Sequence, residues 1–135
     1  MGPEYYGQVS NPNAIVLRRD LSVHGIEFYS PVNFSQQIGL MSRPKGYKVS
    51  AHIHNQVERT ISLTQEVLFI RKGECTVKLY SSSASVTDEI KLKEGDVILL
   101  AHGGHEIFMN TDCEILEVKQ GPYAGDNDKT QIVFW

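Results

Sequence analysis

The strongest constraint on this chain is a recurring pattern of short segments, rich in β-branched and aromatic residues, in which polar and apolar side chains alternate. A period of two places every second side chain on one face, as a half-buried strand requires. The pattern predicts strands at 21–29, 47–54, 59–63, 66–71, 76–80, 90–92, 96–100, 105–109 and 113–119. Turn formers separate them: Arg43-Pro44-Lys45-Gly46, Lys72-Gly73-Glu74, a serine-rich tip at 81–85, Glu94-Gly95-Asp96, Gly103-Gly104 and Gly121-Pro122. Only 33–41 has room for a helical turn or two. Turn signals spaced roughly 8 to 12 residues apart describe an all-β sandwich or barrel and leave no place for βαβ units.

The size of the chain agrees with a single unit. Its 135 residues match a domain of about 100 to 150 and are expected to bury about two-thirds of their unfolded surface. Thirteen Lys and Arg against sixteen Asp and Glu leave a net charge of −3, so there is no basic field for a nucleic-acid backbone. The start of the chain lacks a charged step followed by an apolar core, and no apolar run reaches the roughly 20 residues of a membrane span. The expectation is a cytoplasmic protein with no nucleic-acid or membrane partner. Cys75 and Cys113 are too few and too far apart for a disulfide framework or a metal knuckle, and read as strand thiols. Residues 1–20 read as an N-terminal arm or edge segment, 46–110 as the core, and 121–135 as a C-terminal loop. That loop ends in an apolar tail, Ile132-Val133-Phe134-Trp135, suited to docking on the domain or on a second copy. The prediction is a homodimer.

Chemistry concentrates on the histidines. His52-Ile53-His54 lies in a predicted strand, where residues two apart share a face, so both imidazoles project together. Paired imidazoles are a common first half of a transition-metal site, although surface strands carry such pairs by chance. Glu66 opens an apolar run, and by itself reads as a solvated strand end. His105 follows Gly103-Gly104, and by itself reads as a turn histidine.

Taken together these residues resemble the cupin superfamily over 46–110. The first cupin motif is matched by Gly46, His52, His54, Glu66 and Gly73, with a gap of eleven residues between His54 and Glu66 where the motif has three or four. Glu58 meets the short spacing but has Gln65 where the glycine belongs, so Glu66 is preferred, with Gln65 and Glu58 as substitutes. The second motif is matched by Gly95, Ala101 in the proline position, Gly103, His105 and Asn110. The histidine arrives one residue early and the asparagine one late, and His102 is the weaker alternative to His105. The stretches 64–70 and 118–126 resemble small single-domain cupins of surface-polysaccharide and sugar-nucleotide pathways.

The resemblance implies a double-stranded β-helix, the cupin jelly-roll barrel, of about nine or more short antiparallel strands. It implies that His52, His54, Glu66 and His105 bind one divalent transition metal, with iron, manganese, nickel, copper and zinc all open. Tyr47, Arg59, Phe69, Phe108 and Met109 are candidate pocket-lining residues, with core packing or solvation as their simpler explanation. The expected ligand or substrate is a small polar molecule such as a sugar derivative. Whether turnover occurs is left open. The alternatives are a metal-free nucleotide-sugar isomerase or epimerase, in which His52 or His54 moves protons between adjacent carbons, and a non-catalytic small-ligand sensor.

Overall fold

A computed structural model describes residues 1–133; the predicted docking of Phe134 and Trp135 lies outside the described residues. The fold is all-β. Its ten strands are β1 (Glu4–Gln8), β2 (Asn11–Leu17), β3 (Gly25–Phe28), β4 (Gly39–Ser42), β5 (Glu66–Lys72), β6 (Glu74–Tyr80), β7 (Val86–Lys93), β8 (Val97–Leu100), β9 (Gly104–Met109) and β10 (Glu114–Lys119). Every pairing among them is antiparallel, in a five-stranded sheet ordered β1-β2-β8-β5-β10, a three-stranded sheet ordered β7-β6-β9, and the hairpin β3–β4. Among the described residues the one helical element is a 3-10 turn, Gly125–Asn127, and no helix is long and apolar enough to cross a membrane.

Period-two alternation sorts the side chains into two cores. On one face of the five-stranded sheet, Ala14, Val16, Leu68, Ile70, Ile98 and Leu100 pack against Cys75, Val77, Leu79, Ile90 and Leu92 of the three-stranded sheet. On the opposite face Ile15, Leu17 and Leu99 are covered by Leu21, Phe34, Ile38 and Leu40, from the loop and hairpin between β2 and β5. β2 and β8 are therefore buried on both sides and read as continuous apolar runs, Ala14-Ile15-Val16-Leu17 and Val97-Ile98-Leu99-Leu100. The segment 1–20 thus forms a hairpin with β1 at the sheet edge and β2 inside it.

Three sequence expectations are corrected. The stretch 33–41 contains no helical turn but a tight turn, in which the Phe34 amide donates to the Pro31 carbonyl, followed by β4. The predicted strands at 47–54 and 59–63 are absent: the chain from 43 to 64 is exposed throughout, without helix or strand. Their alternation is real, but in this chain it meets no neighbouring strand.

One end of the sandwich is fastened by a buried acid. Asp96, 1% exposed, accepts hydrogen bonds from the amides of Arg19 (3.0 Å) and Lys93 (2.9 Å) and from the Arg18 guanidinium (3.1 Å). Arg18 also forks onto Glu4 through Nε (2.8 Å) and Nη2 (3.1 Å), and donates to the Lys91 carbonyl, so it ties β1 to β7 across the two sheets. Its guanidinium holds the Glu4 carboxyl below the usual carboxylate range. Gly95, at φ +91°, makes the turn beside Asp96; a side chain there would collide with Arg19. Removing the buried acid strands the amides and the guanidinium. Asp96→Ala is expected to cost about 3–5 kcal/mol, read from urea unfolding, whereas Asp96→Asn retains part of the hydrogen bonding and costs less.

Candidate functional site

Register places the site at the other end. β5 pairs Glu66 with Leu100 of β8 and Lys119 of β10, while β9 pairs His105 with Leu79 of β6. On β5, Glu66 has the parity of the core residues Leu68 and Ile70; on β9, His105 has that of Ile107, which packs on the same core. Both side chains are therefore directed into the space between the sheets, where the apolar filling ends. They meet there, His105 Nε2 lying 2.9 Å from Glu66 Oε1.

Around this pair opens a cleft of about 750 Å³, lined by Thr64, Tyr80, Ile107, Glu117, Lys119 and the tail residues 128–132. Glu117 is a member of the site that sequence reasoning missed. On β10 the apolar Leu116 and Val118 face outward and are half exposed, while Ile115, Glu117 and Lys119 share the inward parity. Alternation by itself assigns the apolar residues to the core, which is the reverse of what happens here. The signal that identifies Glu117 is its cross-strand distance from Glu66, available only once register is known. Lys119 is held by Asp128 (3.5 Å), which also accepts from the Thr64 hydroxyl (3.2 Å), so the tail is anchored over the cleft.

The electrostatics of the site follow from the hydrogen bonds that join His105, Glu66 and Glu117. The hydrogen bond from His105 draws the Glu66 carboxyl down to about 2 against the opposing effect of its burial, with further help from Glu117. The Glu117 carboxyl moves up, chiefly through its own hydrogen bond with Glu66 and then through partial burial. Glu66 is thus the stronger acid of the pair and Glu117 the weaker one.

The other candidates are placed as follows. His52 and His54 touch each other, ring centroids 5.1 Å apart and edge to face, in the exposed segment that follows β4. The Nδ1–H of His52 donates to the Ser50 carbonyl (2.7 Å), which leaves Nε2 as the basic nitrogen of the neutral ring. Among the described residues no three His, Cys, Asp or Glu side chains gather as a metal-holding group, so the structure forms two pairs, His52–His54 and Glu66–His105. His102 has both nitrogens engaged: Nδ1 accepts from the Asn13 amide (3.3 Å) and Nε2 donates to the Asn11 carbonyl (3.1 Å). Gln65 is buried, its side-chain oxygen accepting from Ser35 and the Gln36 amide, and Glu58 lies in the exposed segment. None of the candidate pocket residues borders the cleft. Tyr47 lies under Arg43 (4.3 Å), Arg59 is exposed, Phe69 and Phe108 lie on outward faces, and Met109 sits at the far end of β9 from His105. Cys75 is buried and Cys113 half-buried, both as free thiols.

No family model matches the sequence, and neither does any curated protein or solved structure.

The pKa directions predict opposite effects for the two acids. Glu66 has a folded value below its ordinary 4.5, so its contribution is fully present above about pH 4.5 and is lost as pH falls towards 2. In chelator-treated protein Glu66→Gln is expected to cost on the order of 2 kcal/mol at pH 7, with the difference from wild type closing between those two pH values. Glu117 has a raised folded value, so its ionisation opposes folding once the pH passes that value, and Glu117→Gln is expected to raise Tm at pH 7. Thermal melts followed by circular dichroism across pH 2.5–7 check both signs.

Proposed function

We propose that this protein is a small jelly-roll barrel of cupin type that binds a divalent transition metal at Glu66 and His105, with His52 and His54 completing the ligand set, and presents it to a small oxygen-rich molecule such as a sugar derivative. The observation that carries this reading is the Glu66–His105 pair, 2.9 Å apart at the mouth of a polar cleft. Two donor atoms each about 2.1 Å from one ion, at a right angle, lie about 3 Å apart. An ionised carboxylate beside an imidazole is also the donor chemistry that iron(II), manganese, nickel, copper and zinc accept. The two facing antiparallel sheets, ten strands and near absence of helix support the fold part of the reading.

A bound metal would supply Lewis acidity to a ligand oxygen. The surrounding residues perform the rest. Glu66 holds negative charge at neutral pH, and Glu117, one hydrogen bond away, is the weaker acid. Lys119 and Lys129 offer positive charge to an anionic group, while Thr64, Thr130 and Gln131 offer hydroxyl and amide partners to a polyol. The cleft volume falls within the usual range for small-ligand sites, about 300–1,000 Å³.

A second reading has its own observation. The hydrogen bond between His105 and Glu66, with Glu117 beside it, is also an acid–base arrangement, in which His105 moves a proton between adjacent carbons of a sugar with no metal required.

Elemental analysis of untagged protein, purified without chelator, separates the two. The metal reading expects close to one metal per chain in wild type, and at least a tenfold loss of affinity in both Glu66→Gln and His105→Ala. No metal in the wild type after dialysis against iron(II), manganese, nickel and zinc overturns it and leaves the acid–base reading.

A further inference from the structure

The segment from 43 to 63 is the anomaly of this fold. A loop of some twenty residues without secondary structure is uncommon inside a compact domain, where loops beyond about 12–15 residues are functional or disordered. Its composition is not that of a disordered linker. Tyr47, Val49, Ala51 and Ile53 alternate with Lys48, Ser50, His52 and His54, yet Ile53 is 86% exposed and Val57 60%. Arg43, Lys45, Lys48 and Arg59 against Glu58 give the segment a charge of +3 in a chain of net −3, so the remainder carries −6.

The barrel has an opening of matching kind. In the three-stranded sheet, order β7-β6-β9, β9 is an edge strand facing a sheet of five. Exposed edges are normally blunted by lysine, proline or a bulge. β7 carries Lys91 and Lys93, and β10 carries Lys119; β9, Gly-His-Glu-Ile-Phe-Met, carries neither lysine nor proline, its β6 register is unbroken, and Phe108 is 61% exposed.

We propose that 47–54 of one copy adds, in a second copy, to the edge of β9 that no described strand pairs, beyond the point where Ile132 meets Gly104, and the reverse, in a two-fold exchange that delivers His52 and His54 in trans to the Glu66–His105 pair. This rests on the metal reading above for the purpose of the exchange, though not for its existence. Strand parity fits on both faces. With His52 and His54 turned inward they lie on the face of β9 that carries His105, and Val49 and Ile53 then lie outward beside Phe108. A second copy is the favoured donor because within one chain the segment stands clear of the sheets, and its histidines form a pair separate from Glu66 and His105. The opposite charges of segment and remainder favour the same contact. An arm of this length is comparable to the roughly 20–30 residues that each partner commits to a stable interface.

The test has two parts. In the first, full-length protein carries a photoreactive benzophenone amino acid in place of Ile53 and is irradiated at micromolar concentration. A covalent dimer on a denaturing gel, with the cross-linked peptide from β9, is expected; a monomeric product cross-linked to its own β9, or no cross-link to β9, overturns the exchange. In the second, His52→Ala/His54→Ala and Glu66→Gln/His105→Ala chains with different peptide tags are co-expressed, and the mixed dimer is isolated through both tags. Exchange restores one site of two, so half a metal per chain is expected against almost none in either parent, whereas a site built within one chain restores nothing and overturns the proposal. If wild type holds no metal but the dimeric cross-link to β9 forms, the exchange stands and the metal reading falls. If wild type holds one metal per chain and only the monomeric product forms, the reverse is true.

Discussion

Burial on both faces of β2 and β8 organises the molecule. A strand with an apolar layer on each side needs covering twice, and this chain supplies the two covers from different sources. The three-stranded sheet covers one face, and the hairpin β3–β4 with the loop around Phe34 and Ile38 covers the other. Full burial of side chains such as Ile15, Ile98 and Leu99 removes apolar surface from water at about 25 cal/mol per Å². The register that buries them also fixes where β5 begins. Glu66 pairs with Leu100 at the last turn of the core, so the apolar packing sets the height at which the first carboxylate appears.

The parts of this arrangement that were legible in the sequence share one property: their alternation is satisfied within the chain. β6, β9 and β10 fall within a few residues of the predicted segments, as do the apolar runs of β5 and β8 between their turn signals, and Gly73 and Gly95 make their turns with positive φ. β2 was hidden because it opens on the turn formers Asn11-Pro12-Asn13, and the Ala14-Ile15-Val16-Leu17 run behind them carries no period to read. The segment 47–54 shows the opposite case, with strong alternation and no partner strand among the described residues. Alternation records that a segment has two unlike faces, and is silent on which chain supplies the neighbouring strand.

The site divides along the same line. Glu66 and His105 were recoverable from motif spacing, and they meet because the strands that carry them face each other across the core. Glu117 was not recoverable, since Leu116 and Val118 on either side are the residues a pattern reader assigns inward. At the mouth of a sandwich the inward positions of the last strand pair face a cleft, and polarity there is reversed relative to the core only two residues away.

The fastening at Arg18 gives the two sheets a fulcrum. Glu4, Lys91 and Asp96 are tied together at one end of the two sheets, while Glu66 and His105 face each other at the other end. Relative rotation of the sheets is then smallest at Arg18 and grows along the strands. Over a strand length of about 20 Å, a rotation of about 3° changes the gap at the mouth by about 1 Å. A rotation of that size would widen the mouth while the core near Arg18 keeps its packing.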